Sequence, residues 1–196
     1  MVIDFKNRNY GDNPHGVNVV DGVITASDRL IEGVTFCNFP RITAICYDFK
    51  NCVFEDCNQI SLTVGQIESC RFHRVEMLRL ENSNLQNCEL RHLWADRNCV
   101  IRLEDGSISG CAFKDIRLEN NAYLCDAVGD VWIGNCKFSY VRTDRKDKKL
   151  VRCVVPVGRI FKRKKHINVL DEKSCTGLEW ITGLNGVIEI GSFRMR

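Results

Sequence analysis

The chain has 196 residues, a formal net charge of +3, 44% hydrophobic residues and 27% charged residues. These values are ordinary for a soluble globular protein, and the length suits one domain with a sizeable core. The chain has only three prolines and 14 glycines, and this low content excludes a collagen-like chain and disfavours disorder. No apolar run approaches the roughly 20 residues that span a bilayer. The first twenty residues also lack a signal-peptide core, so we expect a cytoplasmic location, in the producer or in an infected host.

Twelve cysteines would suggest a disulfide framework in a small secreted protein. Because no signal peptide is apparent, we expect a reducing compartment in which the thiols stay free. A free cysteine behaves as a small buried hydrophobe. The sequence therefore predicts that most of these cysteines belong to the core.

The first element is residues 1–29, which we expect to hold short strands that begin or cap the fold. From residue 30 to 155 the chain repeats itself. The repeat is anchored on one small residue, which is followed two positions later by a large apolar residue. The anchors are Val34, Cys52, Cys70, Cys88, Cys111 and Cys136.

Four columns of equivalent residues contain no charged side chain in any of six repeats. They are the anchors themselves and the residues three before, two after and five after each anchor. A further apolar pair lies ten and eight residues before the anchor, for example Ile60 and Leu62 before Cys70. The period of two within these sets is typical of strands with one buried face. Each repeat therefore holds about three short strands joined by tight bends.

The residue before each anchor indicates where one of the bends lies. It is Gly33, Asn51, Ser69, Asn87, Gly110 and Asn135 in the six repeats. Glycine and asparagine tolerate the left-handed backbone conformation that a sharp bend requires. Bends stacked in this way predict an all-β fold, a single-stranded parallel β-helix (β-solenoid) of about six to seven short rungs.

The pattern NCxF, with an aliphatic residue three before the cysteine, resembles the repeats of right-handed parallel β-helix proteins, the architecture of pectate lyases and phage tailspikes. The resemblance covers residues 30–142 and implies a right-handed coil. A left-handed hexapeptide coil would need an apolar residue six positions after each anchor. Asn58, Glu76 and Arg117 stand there instead. A pentapeptide coil would need a 20-residue turn rather than the observed 18.

Charged positions recur on successive repeats between residues 55 and 117. Basic residues such as Arg71, Arg74 and Arg91 are interleaved with acidic residues such as Glu55 and Asp115. Because stacked repeats bring these side chains together, we expect a mixed, salt-bridged face. A binding strip is the alternative interpretation.

The repeat length is 18 residues three times and then becomes 23 and 25. The extra residues lie in two insertions, 93–106 and 118–130, which we expect to be loops that leave the coil. Loops on a regular scaffold often form the binding site. The candidate binding residues here are Trp94, Asp96, Arg97 and Tyr123, with loops packed back on the coil as the alternative.

Residues 141–166 contain eleven Lys and Arg residues against two Asp residues, which gives this segment a net charge of +9 and leaves −6 for the remainder. Such a cluster attracts phosphate backbones or acidic protein surfaces, although a solvated loop would have the same composition. The candidate binding residues are Arg145, Lys146, Lys148, Lys149, Arg159, Lys162, Arg163, Lys164 and Lys165.

Residues 150–155 fit the repeat if Leu150, Cys153 and Val155 occupy the same columns, which predicts a seventh rung. Residues 156–196 are expected to hold the basic segment and a small C-terminal cap, because the sequence after residue 166 does not fit the columns. The uncapped ends of such a coil are also expected to allow a homodimer.

The chain contains no C-x-x-C pair, and its four histidines are not spaced as ligands with cysteines, so we expect no metal and no cofactor. Cys99 and Cys125 are the better candidates for a reactive thiol.

The functional hypothesis is a non-catalytic protein that docks on a protein or nucleoprotein target and blocks or scaffolds it, an inhibitor or adaptor of viral or mobile-element type. Direct nucleic-acid contact would use residues 141–166. The alternative is a small carbohydrate-active enzyme that uses Asp96, Asp126 and Asp130.

Overall fold

The computed structural model describes residues 1–6, 15–146, 149–156, 170–171, 173–178 and 188–193. The described residues form strands and turns and contain no helix. In chain order the strands are β1 (Val2–Asp4), β2 (Asn18–Val20), β3 (Val23–Thr25), β4 (Leu30–Glu32), β5 (Thr35–Cys37), β6 (Arg41–Ile45), β7 (Asp48–Lys50), β8 (Val53–Glu55), β9 (Gln59–Thr63), β10 (Gln66–Glu68), β11 (Arg71–His73), β12 (Met77–Glu81), β13 (Asn84–Gln86), β14 (Glu89–Arg91), β15 (Trp94–Asp96), β16 (Cys99–Ser109), β17 (Ala112–Glu119), β18 (Tyr123–Gly134), β19 (Lys137–Thr143), β20 (Val151–Pro156) and β21 (Ile188–Phe193). The prediction of an all-β chain is confirmed.

The strands form two hydrogen-bonded sheets. The first contains β1, β5, β8, β11, β14, β17, β15 and β19, and the second contains the other thirteen. The pairs are parallel except for the hairpin of β2 and β3. Each strand pairs with the equivalent strand of the next repeat, as when Phe36 lies beside Phe54 and Phe54 beside Phe72. The repeat that the sequence predicts is therefore the hydrogen-bonding register of the structure.

The predicted columns are the core. Every residue of the four six-membered columns is at most 9% exposed, as are the four apolar pairs that precede the anchors. The phenylalanine column is nearly face to face, with ring centroids 5.1 Å apart between Phe36 and Phe54 and 5.0 Å apart between Phe54 and Phe72. Alternation between buried and exposed positions along each strand explains why charge is excluded from these columns.

The anchor cysteines do more than fill space. The amide nitrogen of Cys52 donates to Sγ of Cys70 at 3.4 Å, and the amide of Cys70 donates to Sγ of Cys88 at 3.4 Å. The thiol of Cys52 donates in turn to the carbonyl oxygen of Ile31 at 3.3 Å. Each thiol therefore satisfies a buried main-chain amide of the repeat before it. An alanine or a valine at the same position offers no acceptor.

The bends lie where the sequence predicts them. All six residues that precede the anchors have a positive φ, for example 53° at Asn51 and 54° at Ser69. Two further columns of left-handed residues complete each repeat, and these columns contain side chains other than glycine and asparagine. They include Arg74, His92 and Tyr140 four residues after the anchors. The hydrogen-bonded stacking of neighbouring repeats holds these residues in a left-handed conformation that is intrinsically unfavourable for their side chains.

Val64 is the clearest case of this imposed conformation. It is β-branched, 42% exposed and has a φ of 55°, which is a strained combination for a branched side chain. Asn82 occupies the equivalent corner one repeat later with a φ of 47°. We expect Val64→Asn to raise the melting temperature by about 2–4 °C, as expected for a gain of about 1 kcal/mol in a protein of this size. A thermal melt followed by circular dichroism tests this, and an unchanged or lower melting temperature would contradict it.

The C-terminal part departs from two predictions. Cys153 lies beside Ala127 in β18, and Ala127 lies beside Leu103. Cys153 therefore continues the column eight residues before the anchors, and its assignment to the anchor column is wrong. Leu170 pairs with Ile133, and Thr176 pairs with Lys137, so parts of the segment after residue 166 do fit the columns. The spacing hid this continuation because the last repeats are longer than the early ones.

Candidate functional surface

A group of exposed and half-buried side chains that contact one another lies on the first sheet and the corner that follows it. We call this the charged face and define it as Glu55, Asp56, Arg71, His73, Arg74, Glu89, Arg91, His92, Trp94 and Asp115. These residues occupy outward or corner positions of successive repeats. The prediction of a mixed, salt-bridged face is met by their contacts, which run from one repeat to the next.

Arg74 is the centre of one half of the charged face. Its Nη2 lies 2.8 Å from Oε1 of Glu55 and 2.7 Å from Oδ2 of Asp56, and its Nε also contacts Asp56. Hydrogen bonding to Arg74 lowers the pKa of Asp56 below its ordinary value. Because both partners are more than a third exposed, we treat this ion pair as an organiser of the face and not as a main source of stability.

Two neighbouring histidines, His73 and His92, link successive repeats of the charged face. The ring centroids of His73 and His92 are 5.0 Å apart. Nδ1 of His73 lies 3.2 Å from Oε1 of Glu55, and Nδ1 of His92 lies 3.9 Å from Oδ2 of Asp115. Each imidazole thus faces a carboxylate of a neighbouring repeat. The face has both signs of charge in close alternation, which favours a partner of complementary pattern over a simple anion.

Two shallow, open concavities accompany these contacts, each with a volume of about 300 Å³. The first lies over β8, β11 and β14, and the second lies beside it between Arg74, His92 and Trp94. This size is at the lower limit for a small-molecule pocket. Their openness and charge are more typical of a surface that contacts a macromolecule.

Trp94, a candidate binding residue of the first insertion, is 47% exposed and can therefore contact a partner. Its Nε1 donates to Oε2 of Glu119 at 3.2 Å, and its backbone pairs with Arg117. The indole is therefore held in one orientation by a neighbouring strand while its ring stays in solvent. A fixed, exposed tryptophan at the edge of a concavity has the properties of an interface anchor.

The insertions are not the loops that the sequence predicts. Residues 94–96 form β15, residues 99–109 form β16, and residues 123–134 form β18. The extra residues lengthen the strands, and the chain bends from one sheet to the other in two-residue turns at 97–98 and 120–121, where all four residues have a positive φ. Strand patterns in these segments were masked by the change in repeat length.

The turns are stacked on one another through polar contacts. Asp96 accepts a hydrogen bond from Nδ2 of Asn120, and Asp144 accepts from the amides of Asn120 and Asn121 at 2.7 and 3.0 Å. Asp96 therefore has a structural partner. Arg97 lies in the first of these turns with a φ of 70° and remains exposed.

Tyr123 is 7% exposed, so the expectation of an exposed tyrosine in the second insertion is wrong. The guanidinium carbon of Arg145 lies 3.8 Å from the centre of its ring and that of Arg152 lies 4.9 Å away. Arg145 is itself 8% exposed, and its Nη1 donates to the carbonyl of Asn121 at 2.8 Å. These side chains stabilise the base of the second insertion through cation–π contacts.

The predicted basic segment is only partly described. Of its nine candidate residues, Arg145 is buried against Tyr123, Lys146 is exposed and Lys149 is half-buried. The remaining six lie outside the described residues, namely Lys148, Arg159, Lys162, Arg163, Lys164 and Lys165. The role of the segment therefore stays a prediction.

Two of the three carboxylates of the alternative enzyme hypothesis have polar partners, Asp96 with Asn120 and Asp126 with Arg152. Asp126 is 9% exposed and accepts a hydrogen bond from Nε of Arg152 at 2.9 Å. Asp130 follows Gly129, a left-handed residue with a φ of 82°, and is exposed. Asp96 lies in the other sheet. A glycosidase needs two carboxylates about 5–10 Å apart on either side of a substrate bond, and the enzyme hypothesis stays a prediction.

The buried thiols are poor nucleophiles. Burial raises the pKa of Cys99 to about 12, and it raises the pKa of Cys125 well above its ordinary value. At neutral pH both remain protonated thiols, and both are at most 5% exposed. The interpretation of Cys99 and Cys125 as reactive candidates is not supported by this environment.

Within the described part of the chain, no group of three or more His, Cys, Asp or Glu side chains is arranged to hold a metal ion. Among the same residues no helix is long and apolar enough to cross a membrane.

The sequence matches no protein-family model, and comparison of the chain with curated proteins and with solved structures finds no similar protein. The resemblance to pectate lyases and tailspikes therefore rests on the repeat pattern alone.

Sequence reasoning missed one feature of the surface. Tyr140 is 71% exposed and occupies a left-handed corner beside two exposed basic residues, Lys137 and Arg142. The sequence pattern that distinguishes Tyr140 lies in the column four residues after each anchor. There five repeats have Asn, Asp, Arg, His and Asp, and the sixth has a tyrosine.

Proposed function

We propose that the parallel sheets are the sides of one single-stranded β-helix of about seven turns, in the right-handed sense that the repeat resemblance implies. The support is the register, in which residues 18, 23 and 25 positions apart become lateral neighbours. Corner residues with a positive φ recur in each turn at equivalent positions. A chain that winds in this way buries one narrow core and leaves long lateral faces in solvent.

We infer that this rod is a non-catalytic docking protein. It binds a protein or nucleoprotein target through the charged face and thereby blocks or scaffolds it, as an inhibitor or adaptor does. The observation that carries the proposal is Trp94, a half-exposed indole held by Glu119 beside a shallow concavity. The ion pair of Arg74 and Asp56 lines the same concavity as the indole, and such charged groups match the polar rim expected beside an interface anchor.

A pull-down from the lysate of a plausible host tests this proposal. Tagged wild-type protein and two variants, Trp94→Ala and Trp132→Ala, are compared with and without nuclease and at low and high salt. Trp132 is the matched control because it is 37% exposed and lies in β18 of the other sheet. We expect a defined protein that survives nuclease treatment, with binding by Trp94→Ala weaker by about thirtyfold or more.

The outcomes separate the alternatives. Equal loss in both variants would show a general effect of removing tryptophan and would contradict docking at the charged face. Unchanged capture by Trp94→Ala would also contradict it. If no protein is captured under any condition, the carbohydrate-active hypothesis gains weight, and Asp96→Asn and Asp126→Asn become the variants to assay on polysaccharides.

A further inference from the structure

Three cations beside the corner at Tyr140 lack an ion-pair partner among the described residues. They are Lys114 in β17, and Lys137 and Arg142 in β19. By contrast, Arg74 and Arg91 on earlier turns each contact a carboxylate of a neighbouring turn. Lys114, Lys137 and Arg142 therefore present positive charge that no carboxylate of the described residues compensates by direct contact.

The register brings Lys114 and Lys137 together and places Arg142 beside another cation. Lys114 pairs with Ser139, two positions after Lys137, so the two lysines are diagonal neighbours about 7–8 Å apart at their backbones. Arg142 pairs directly with Arg117, at the spacing of about 4.8 Å between neighbouring strands. Like charges at this distance repel, and a bound anion would relieve the repulsion.

Nearby carboxylates are already engaged. Asp115 contacts Arg91 and His92. Oε1 of Glu119 lies 2.6 Å from Nη2 of Arg117, while its other oxygen accepts from Trp94. The protein itself therefore supplies little charge compensation for Lys137 and Arg142 in the part that the structure describes.

Tyr140 provides the second observation. It is the most exposed of the large hydrophobic residues in the described part of the chain, at 71%, and its φ is 55°. A bulky residue in this conformation is strained, and five equivalent corners carry polar side chains, among them Asn38 and Asp56. Because most of this aromatic ring lies in solvent, its burial contributes little to folding, and strain retained at an exposed position favours a functional role.

We propose that Lys114, Lys137, Tyr140 and Arg142, which we call the cationic corner, bind single-stranded nucleic acid. The cations contact successive phosphates, and one base stacks on the ring of Tyr140. Lys137 lies three residues before Tyr140 and Arg142 two residues after it, so the charges flank the ring on both sides. A cationic track with an exposed aromatic is the usual arrangement for binding single strands with little sequence preference.

The aromatic ring is what favours a single strand over the other polyanions. A duplex keeps its bases stacked inside and would leave Tyr140 without a partner. An acidic protein segment would neutralise the cations but has no base to stack on the ring. The site uses none of the residues that carry the docking proposal, so each of the two stands or fails without the other.

Fluorescence anisotropy with a labelled oligothymidine of about 15 nucleotides tests the site. A duplex of equal length and a labelled polyglutamate peptide are measured beside it, at about 50 and about 200 mM salt. We expect the single strand to bind most tightly of the three. Tyr140→Ala should weaken it by about fivefold or more. The double variant Lys137→Gln, Arg142→Gln should reduce the slope of log affinity against log salt by about 1.4.

Two further variants separate binding from folding. Tyr140→Asn places a residue that suits the corner, so its melting temperature should rise by about 2–4 °C while its binding weakens as much as that of Tyr140→Ala. Arg41→Gln removes an exposed cation of β6, far from the corner in the stack, and should leave binding unchanged. Absence of single-strand binding, tighter binding of the peptide, or wild-type affinity in either Tyr140 variant would overturn the proposal.

Discussion

Cys70→Asp is expected to unfold the protein. Cys70 is fully buried, its Sγ accepts the amide of Cys52, and its thiol donates to the carbonyl oxygen of Glu68 at 3.3 Å. A carboxylate at this position would be an unpaired charge in a dry core, which costs several kcal/mol, about as much as the whole stability of many domains. Far-ultraviolet circular dichroism and a thermal melt at neutral pH measure the loss.

Conservative variants at the same site show which property of the cysteine matters. Cys70→Ser retains a donor and an acceptor, whereas Cys70→Ala leaves the buried amide of Cys52 without an acceptor, at a cost of about 1–3 kcal/mol. Both should be tolerated far better than Asp, as should Cys70→Val. Cys46→Asp is the matched control, because Cys46 is exposed at a left-handed corner. A similar melting temperature for Cys70→Asp and wild type would contradict the buried ladder.

Phe72→Ala is the second variant with a large expected effect. Phe72 is fully buried and stacks on Phe54 with an interplanar angle of 4°. Truncation should lower the free energy of unfolding by about 3–5 kcal/mol, because the rigid neighbours above and below cannot close the cavity. Equilibrium unfolding in urea measures the change.

A smaller change at this position provides a comparison for the stability loss of Phe72→Ala. Leu90 occupies the equivalent place one turn later, so Phe72→Leu should cost clearly less, on the order of 1–1.5 kcal/mol. Phe5→Ala, at a 45% exposed position near the N-terminus, is the surface control. If Phe72→Ala cost no more than Phe5→Ala, the aromatic column would not be part of the core.

The repeat was predictable because its physical cause is local and recurrent. A narrow core excludes charge from the same positions in every turn, so Cys52, Cys70 and Cys88 stand out at equal spacing. Asn51 and Asn87 mark corners for a similar reason, since the left-handed conformation selects few residue types. Where the turn lengthens, spacing alone no longer identifies equivalent residues, and Cys153 was placed in the wrong column.

The surface was less predictable, because exposure depends on what packs against a residue. Trp94 and Tyr123 look alike in the sequence, each an aromatic residue in an insertion. The structure leaves the first in solvent and covers the second with Arg145 and Arg152. The partner of a buried residue comes from a distant part of the chain, so no local pattern separates these two cases.

The most direct test of the stacked parallel turns is a nuclear Overhauser spectrum of the labelled protein, in which cross-peaks report contacts between neighbouring turns. Cross-peaks are expected between the rings of Phe36 and Phe54, of Phe54 and Phe72, and of Phe113 and Phe138, the last pair at a centroid distance of 4.9 Å. Amide contacts should follow the same spacings of 18 and 25 residues. Contacts that instead join antiparallel neighbours across these strands would contradict the stacked parallel turns on which the docking face and the cationic corner both depend.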